Sequence, residues 1–259
     1  IYLVIIGVLV ALLVFRIYRN WKKGKVHKPY FGLLDFKGNN LRAAANALAI
    51  IALVLGVVSV FLPYYVVSLN IDSTTLTTEG FQDVLIIDGA HGLRVNTLDQ
   101  GSGLVQLTAL PIPLSVILLT PLIFLVVGTI GVSDKKIAFK LLTRGILMML
   151  PVIVILAVVA SLSSIYIYFP DGVSGVEDAK LIFDAVSSSP FSGSDTVYMS
   201  DLGEDADVRW GLGLGGYLLL VTGALLLVAA IMRFAAKKQS HPSQQAAEQK
   251  KKEMQWVDV

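Results

Sequence analysis

The stretch that decides the fold is Arg42–Leu69, RAAANALAIIALVLGVVSVFLPYYVVSL. After Arg42 it contains no Asp, Glu, Lys, Arg or His, and it exceeds the roughly 20 apolar residues that a helix needs to cross a bilayer. The motif Phe61-Leu62-Pro63-Tyr64-Tyr65 closes it, and β-branched residues follow. We interpret the stretch as a membrane-spanning helix that leads into an outer β-structure, with Pro63, Tyr64 and Tyr65 as the joint.

The composition of the whole chain agrees with a membrane protein. Of its 259 residues, 55% are hydrophobic and only 15% are charged, against about 25% charged in a soluble globular domain. The mean hydropathy is +0.72. The absence of cysteine excludes disulfides, thiolate metal sites and cysteine catalysis.

Five apolar runs are long enough, or nearly so, to span a bilayer. They are Tyr2–Tyr18, Ala43–Leu69, Ala109–Val132, Ile146–Phe169 and Gly211–Phe234. The first run has its positive charges on its C-terminal side, which favours a retained anchor over a cleaved secretory signal.

The charged residues are divided between alternate connections. Segments 16–42 and 133–145 and the tail from Arg233 hold 18 of the 21 Lys and Arg residues, whereas segments 70–108 and 170–210 hold 14 of the 19 acidic residues. Since Lys and Arg are retained on the cytoplasmic side, the sequence predicts a cell-membrane protein with its N-terminus outside and its C-terminus in the cytoplasm.

The predicted fold is an all-α membrane bundle with five transmembrane helices, a four-helix core plus an extra N-terminal helix, and a small extracellular β-sheet from the first outer loop. The predicted regions are an N-terminal transmembrane helix (1–18), a basic cytoplasmic linker (19–42), a transmembrane core (43–234) with outer loops 70–108 and 170–210, and a polar cytoplasmic tail (235–259).

Both outer loops carry signals of local structure. In the first, strands are predicted at 65–71, 83–87, 92–98 and 104–108, with the turn Asp88-Gly89-Ala90-His91 forming a hairpin. In the second, Ser174 followed by Glu177 is a capping-box pattern. It predicts a short helix at about 175–187, followed by a turn region of small residues.

Four glycines in the last run, Gly211, Gly215, Gly216 and Gly223, suggest close packing between helices. Small residues at a spacing of four allow two helix backbones to approach. A dinucleotide-binding loop is the alternative reading of this glycine pattern, but no strand is predicted before it.

Residues that carry chemistry are few. Asp88 and His91 share one predicted turn, which is a weak catalytic or metal candidate. Asp201, Glu204, Asp205 and Asp207 are weak metal candidates, because oxygen ligands suit Ca²⁺. The spacing of an EF-hand is absent, however, and an acidic solvated outer face is the simpler account of these residues. No predicted span carries an ionisable residue at membrane depth. We expect Asn46 to make a hydrogen bond between two helices rather than to contact a substrate. The sequence predicts no cofactor and no enzyme activity.

Residues 42–236 resemble the claudin-like tetraspan proteins. The shared features are a first helix ending in Leu62-Pro63-Tyr64-Tyr65, a β-rich outer loop of about 40 residues, a short inner turn, a second outer loop and a Gly-rich last helix at 211–223. The resemblance implies a left-handed four-helix bundle under a small outer sheet, and a role in cell-surface contacts or as an auxiliary subunit. The family's W…GLW…C…C signature is missing.

The leading functional hypothesis is a non-enzymatic, structural or accessory subunit of a larger membrane or cell-envelope assembly. Its expected partners are the lipid bilayer and other membrane or envelope proteins, or copies of itself, with no nucleic acid. The alternative is a transporter or pore-forming component, and a membrane enzyme is the third hypothesis.

Overall fold

The structure is a computed structural model. It describes residues 32–36, 39–71, 80–95, 105–106, 114–130, 134–165, 176–200 and 203–255, with isolated positions before residue 23 and the backbone alone from 237 onward. The predicted N-terminal helix (1–18) and most of the basic linker therefore lie outside the described residues.

Six helices are described: α1 (Asn40–Ser59), α2 (Leu114–Gly128), α3 (Asp134–Ala160), α4 (Leu162–Ile165), α5 (Val176–Ser188) and α6 (Leu214–Gln255). Within the described residues, three helical segments are long and apolar enough to cross a membrane: Asn40–Ser59, Lys135–Ala160 and Leu214–Ala236. The apolar part of α2, Ile117–Gly128, is shorter. Both α2 and α3 contain an internal proline, Pro121 and Pro151.

Six strands form one antiparallel sheet in the order β4-β3-β2-β1-β6-β5. They are β1 (Pro63–Ile71), β2 (Gln82–Asp88), β3 (Gly92–Val95), β4 (Val105–Gln106), β5 (Ser192–Met199) and β6 (Glu204–Leu212). Strands are present at all four positions predicted in the first outer loop, although residues 96–98, 104, 107 and 108 of those predictions lie outside the described residues. Helix α5 matches the helix predicted at 175–187.

The predicted all-α class is wrong, because the described chain is a mixture of helix and sheet. Five spanning helices are not supported either, since the described residues contain three of sufficient length. The sheet is also larger than predicted, because β5 and β6 come from the second outer loop. In β6 apolar and polar residues alternate along Glu204–Leu212, which is the period of a half-buried strand.

The predicted span Ala43–Leu69 is divided between two elements. Helix α1 ends at Ser59 and β1 begins at Pro63. Proline lacks the N–H that would continue a helix, and the following aromatic and β-branched residues favour a strand. The apolar character that suggested a longer helix belongs to a buried strand instead.

Two irregularities interrupt the pairing of β1 with β2. Pro63 pairs with Asp88 and Tyr65 with Ile87, so that Tyr64 is an extra residue in β1. Further along, an extra residue in β2 shifts the register again between Val67 and Ser68 of β1. Such bulges bend a strand and redirect its side chains.

The chain divides into two compact units. The helical unit comprises residues 1–54, 120–147 and 222–259, and the sheet unit comprises 55–119 and 148–221. Small side chains dominate the core of the helical unit, among them Ala45, Ala49, Ala52, Ala229 and Ala230. The core of the sheet unit contains larger side chains, among them Tyr64, Tyr65, Val208, Trp210 and Leu219.

Candidate functional site

One face of the sheet is polar and exposed. Along β6, Asp205, Asp207 and Arg209 are exposed, while the residues between them are buried, because successive side chains of a strand point to opposite faces. Arg209 pairs in register with Ser68 on β1 and with Ser194 on β5. We call this surface the outer face of the sheet.

Hydrogen bonds between neighbouring strands order the outer face. Ser68 donates from its Oγ to Asp83 Oδ1 at 2.7 Å, and Thr196 donates from its Oγ1 to Asp207 Oδ1 at 2.8 Å. Cross-strand polar pairs of this kind contribute roughly 0.2–1 kcal/mol each. The face is therefore a set of oriented side chains and not a collection of independent ones.

An open cavity of about 330 Å³ lies on the outer face. Its lining includes Phe81, Ser194, Asp195, Thr196, Asp207 and Arg209. The Arg209 guanidinium lies over the Phe81 ring, with its central carbon 3.8 Å from the ring centre, which is a cation–π contact. The guanidinium can still offer its in-plane N–H donors to a carboxylate or carbonyl of a bound partner.

The predicted joint residues lie at the start of β1. Tyr64 and Tyr65 are both buried. The Tyr65 hydroxyl donates a hydrogen bond to the Pro190 carbonyl at 3.0 Å, whereas the Tyr64 hydroxyl has no partner among the described residues. Burial raises the pKa of both tyrosines, and the negative charge of Asp88 raises that of Tyr64 further.

Glycines allow the chain to pack closely at this joint. The Gly213 N–H donates to the Tyr64 carbonyl at 2.9 Å. A Cβ added at Gly215 would lie 2.6 Å from the Leu62 carbonyl oxygen, and one at Gly216 would lie 2.7 Å from that of Tyr64. These contacts join the first turn of α6 to the start of β1.

Gly211 and Gly223, the other two glycines predicted to pack helices, have different surroundings from Gly215 and Gly216. Gly211 lies in β6 and not in a helix, so its predicted role in helix packing is wrong. Gly223 lies in α6 within the helical unit, where its carbonyl oxygen is 2.9 Å from the position of a Cβ added at Gly145 of α3. Gly145 is therefore a packing residue, although no small residue lies four positions from it in the sequence to suggest this role.

Asp88 is the centre of a polar cluster in the β2–β3 hairpin. Its side chain is buried, accepts a hydrogen bond from the His91 N–H at 2.6 Å, and forms an ion pair with Arg94. The His91 Nδ1 is 3.4 Å from the carboxylate. The carboxylate therefore closes the turn, and its charge is balanced by Arg94. These contacts give Asp88 a role in stabilising the hairpin.

The acidic metal candidates are not brought together. Asp205 and Asp207 lie on the outer face, whereas Glu204 is on the opposite face of β6, and Asp201 lies outside the described residues. Across the part of the chain that the structure describes, no group of three His, Cys, Asp or Glu residues could hold a metal ion.

A buried polar cluster lies in the helical unit. The Arg233 Nε donates to Asn46 Oδ1 at 3.0 Å, and Arg233 also donates to the Gly32 carbonyl. The Asn46 amide donates to the Asp35 carbonyl at 2.6 Å, and Asp35 forms an ion pair with Arg42 at 2.8 Å. Asn46 therefore makes the interhelical hydrogen bond that was predicted for it, with Arg233 as its partner.

Sequence patterns did not indicate a role for Phe81 or Arg209, nor the buried position of Arg233. Arg233 was counted with the cytoplasmic tail, although it lies within the apolar segment Leu214–Ala236, three residues from its end. In the sequence, Arg209 is one of only three cations in the acidic segments 70–108 and 170–210. The alternation of residues 204–210 was the signal that could have placed it on the exposed face of a strand.

Comparison with known proteins finds no relative: no protein-family model, no curated protein and no solved structure matches this chain.

Proposed function

We propose that this protein is a non-enzymatic multi-pass membrane protein that acts as a structural or accessory subunit of a larger membrane or cell-envelope assembly. It contacts its neighbours through the outer face of the sheet and through the Gly-rich last helix. This is the auxiliary role that the claudin-like resemblance implies. The basic segments lie in the cytoplasm and the sheet lies outside.

The single observation that carries the proposal is the outer face itself. It is exposed, it is ordered by cross-strand hydrogen bonds, and it contains an open cavity with the Arg209–Phe81 contact. Arginine and aromatic side chains are enriched where proteins bind one another. A surface of this kind suits a protein partner that brings a carboxylate or carbonyl group to Arg209.

Native mass spectrometry of the protein extracted from its own membrane in a mild detergent tests this role. We expect the wild type to carry at least one further subunit, or a second copy. We expect Arg209→Ala and Asp207→Ala to lose it, and Asp184→Ala, which removes an exposed carboxylate from α5, to retain it. A monomer without any co-purifying protein would contradict the proposal, as would equal retention in all three variants.

A transporter or pore-forming component is the second candidate. Arg233 and Asn46 favour it, because both are buried polar residues in helices of spanning length, and such residues often mark ion or solute paths. Ion or solute flux through liposomes that contain this protein alone, reduced in Arg233→Leu, would favour this candidate over the accessory role.

A further inference from the structure

An apolar band is exposed in the sheet unit where the helices meet the sheet. Phe61, two residues after the end of α1, is 70% exposed, Leu214, at the start of α6, is 60% exposed, and Phe191, in the turn before β5, is 55% exposed. Phe61 and Leu214 each adjoin or begin a helix of spanning length. Phe191 belongs to no spanning helix, and nothing in the sequence suggested that it contacts a membrane.

Two hydrogen bonds to backbone carbonyls hold the turn of Phe191 at the level of these helix ends. The Leu212 N–H donates to the Phe191 carbonyl at 3.0 Å, and the preceding carbonyl, of Pro190, accepts from the Tyr65 hydroxyl at 3.0 Å. Leu212 is two residues before Leu214, and Tyr65 is four residues after Phe61. The turn is therefore held between the end of one spanning helix and the start of another.

The exposed stripes of both helices lead into this band. On α1 the exposed residues Val57 and Val58 precede Phe61, and on α6 Tyr217 and Val221 follow Leu214, at the spacing of one helix face. Lipid covers such stripes in a membrane-spanning helix. Aromatic residues are enriched where the hydrocarbon meets the headgroups.

We propose that the Pro190–Phe191 turn is a membrane-contacting element, with the Phe191 ring inserted among the lipids at the level of Phe61 and Leu214. The turn anchors one end of β5 to the bilayer surface. The occupant of the band is lipid, because the band is continuous with the faces that lipid covers. The inference is independent of any partner bound to the outer face.

The other end of β5 provides an internal control. Tyr198 is 57% exposed and lies seven residues beyond Phe191, a distance of roughly 20 Å along an extended strand at about 3.3 Å per residue. Tyr198 pairs with Asp205 on the outer face of the sheet, so in the purified protein, with no partner on that face, it stands in water if the turn rests in the lipid. The two positions have similar exposure and are both aromatic, so only their surroundings distinguish them.

Because the chain has no cysteine, single spin labels can be attached to Phe191→Cys and Tyr198→Cys in the full protein. Each labelled protein is reconstituted in phosphatidylcholine–phosphatidylglycerol vesicles, and its collisions with oxygen, which concentrates in lipid, and with a water-soluble nickel chelate are measured. We expect the label at 191 to collide with oxygen and to lose access to nickel, and the label at 198 to show the reverse.

Equal access of nickel to both labels would overturn the proposal. Low access of both reagents at 191 would also overturn it, because a protein partner or a second copy would then cover the turn. If Phe191→Cys fails to fold, Phe191→Trp tests the same point. Brominated lipids should quench a larger fraction of the tryptophan fluorescence in this variant than in the wild type. An equal quenched fraction in the two proteins would contradict the insertion.

Discussion

Tyr64 and Tyr65 are adjacent and equally buried, but their hydroxyls are in opposite situations. The Tyr65 hydroxyl is bonded to the Pro190 carbonyl, and the Tyr64 hydroxyl has no partner among the described residues. We expect Tyr65→Phe to lower the free energy of unfolding by about 0.5–1.5 kcal/mol, because the partly buried Pro190 carbonyl loses its donor. Tyr64→Phe removes an unsatisfied group and should leave the stability equal or higher.

The two variants serve as controls for each other, because each deletes one oxygen from a buried ring. Near-ultraviolet circular dichroism during denaturation in detergent measures the two stabilities. An equal loss in both variants would contradict the contrast between the two hydroxyls.

The same two residues predict how stability depends on pH. Their folded pKa values lie above the unfolded value of about 10, so the fold favours the protonated, neutral rings. This contribution is fully present below pH 10 and is lost as the pH rises through the folded pKa values. We expect the stability of the sheet unit to fall with increasing pH above about 10.

Tyrosinate absorbance followed during alkaline titration checks this expectation. The two buried tyrosines should ionise only as the near-ultraviolet dichroism is lost, and the exposed ones before it. The double variant Tyr64→Phe/Tyr65→Phe should lose part of the pH dependence. Ionisation of all nine tyrosines in one early step, with the fold retained, would contradict it.

How far the sequence predicts this joint can be judged residue by residue. Pro63 marks where the helix cannot continue, and that signal is local. The contact of Tyr64 with Gly89, where an added Cβ would collide with the tyrosine hydroxyl and the Val60 carbonyl, depends on the bulge that makes Tyr64 an extra residue. A bulge follows from the pairing of two distant segments, so the residues around Tyr64 alone did not reveal it.

At the scale of elements, the close approach of α3 and α6 depends on Gly145. A Cβ at this position would lie 2.9 Å from the Gly223 carbonyl oxygen, a backbone atom. We expect Gly145→Ala to destabilise the helical unit by about 1–3 kcal/mol, despite its gain of up to about 1 kcal/mol in helix propensity. Thermal denaturation in detergent measures the loss.

The matched control is Gly128→Ala, at the end of α2 in the same unit. There the nearest atom to the added Cβ is the Lys140 Nζ at 3.0 Å, the end of a flexible side chain that donates to the Gly128 carbonyl and needs to shift only by a few tenths of an ångström. This variant should keep or raise the melting temperature. A larger loss in Gly128→Ala than in Gly145→Ala would contradict the packing role of Gly145.

The elements differ in how well the sequence predicts them. The strands of the first outer loop were predicted because β-branched runs flank a Gly-bearing turn. Strand β6 was missed because its last residues, Gly211 and Leu212, belong to an apolar run that was read as a helix. The sequence did not predict the cavity either, because Phe81 and Arg209 come together only through the pairing of β1 with β2 and β6.

At the scale of the whole molecule, the uneven distribution of charge is the property that sequence establishes most directly. Loops 70–108 and 170–210 hold 14 of the 19 acidic residues, and the remaining connections hold most of the cations. This asymmetry is a sum over many residues, so the misassigned strands do not change it. It predicts the side of the membrane for each connection without reference to the fold.

That orientation can be measured in intact cells, because single cysteines introduced into this cysteine-free chain are the only thiols on it. We expect Asp184→Cys in the acidic segment 170–210, on α5 and away from the outer face of the sheet, to react with a membrane-impermeant maleimide added outside. Lys136→Cys in the basic segment 133–145 should react only after the membrane is permeabilised. Both positions are exposed, so a difference in labelling reports the side of the membrane and not local burial. The reverse pattern would show that the chain is inserted the other way, and labelling of both from outside would mean that segment 133–145 is not cytoplasmic.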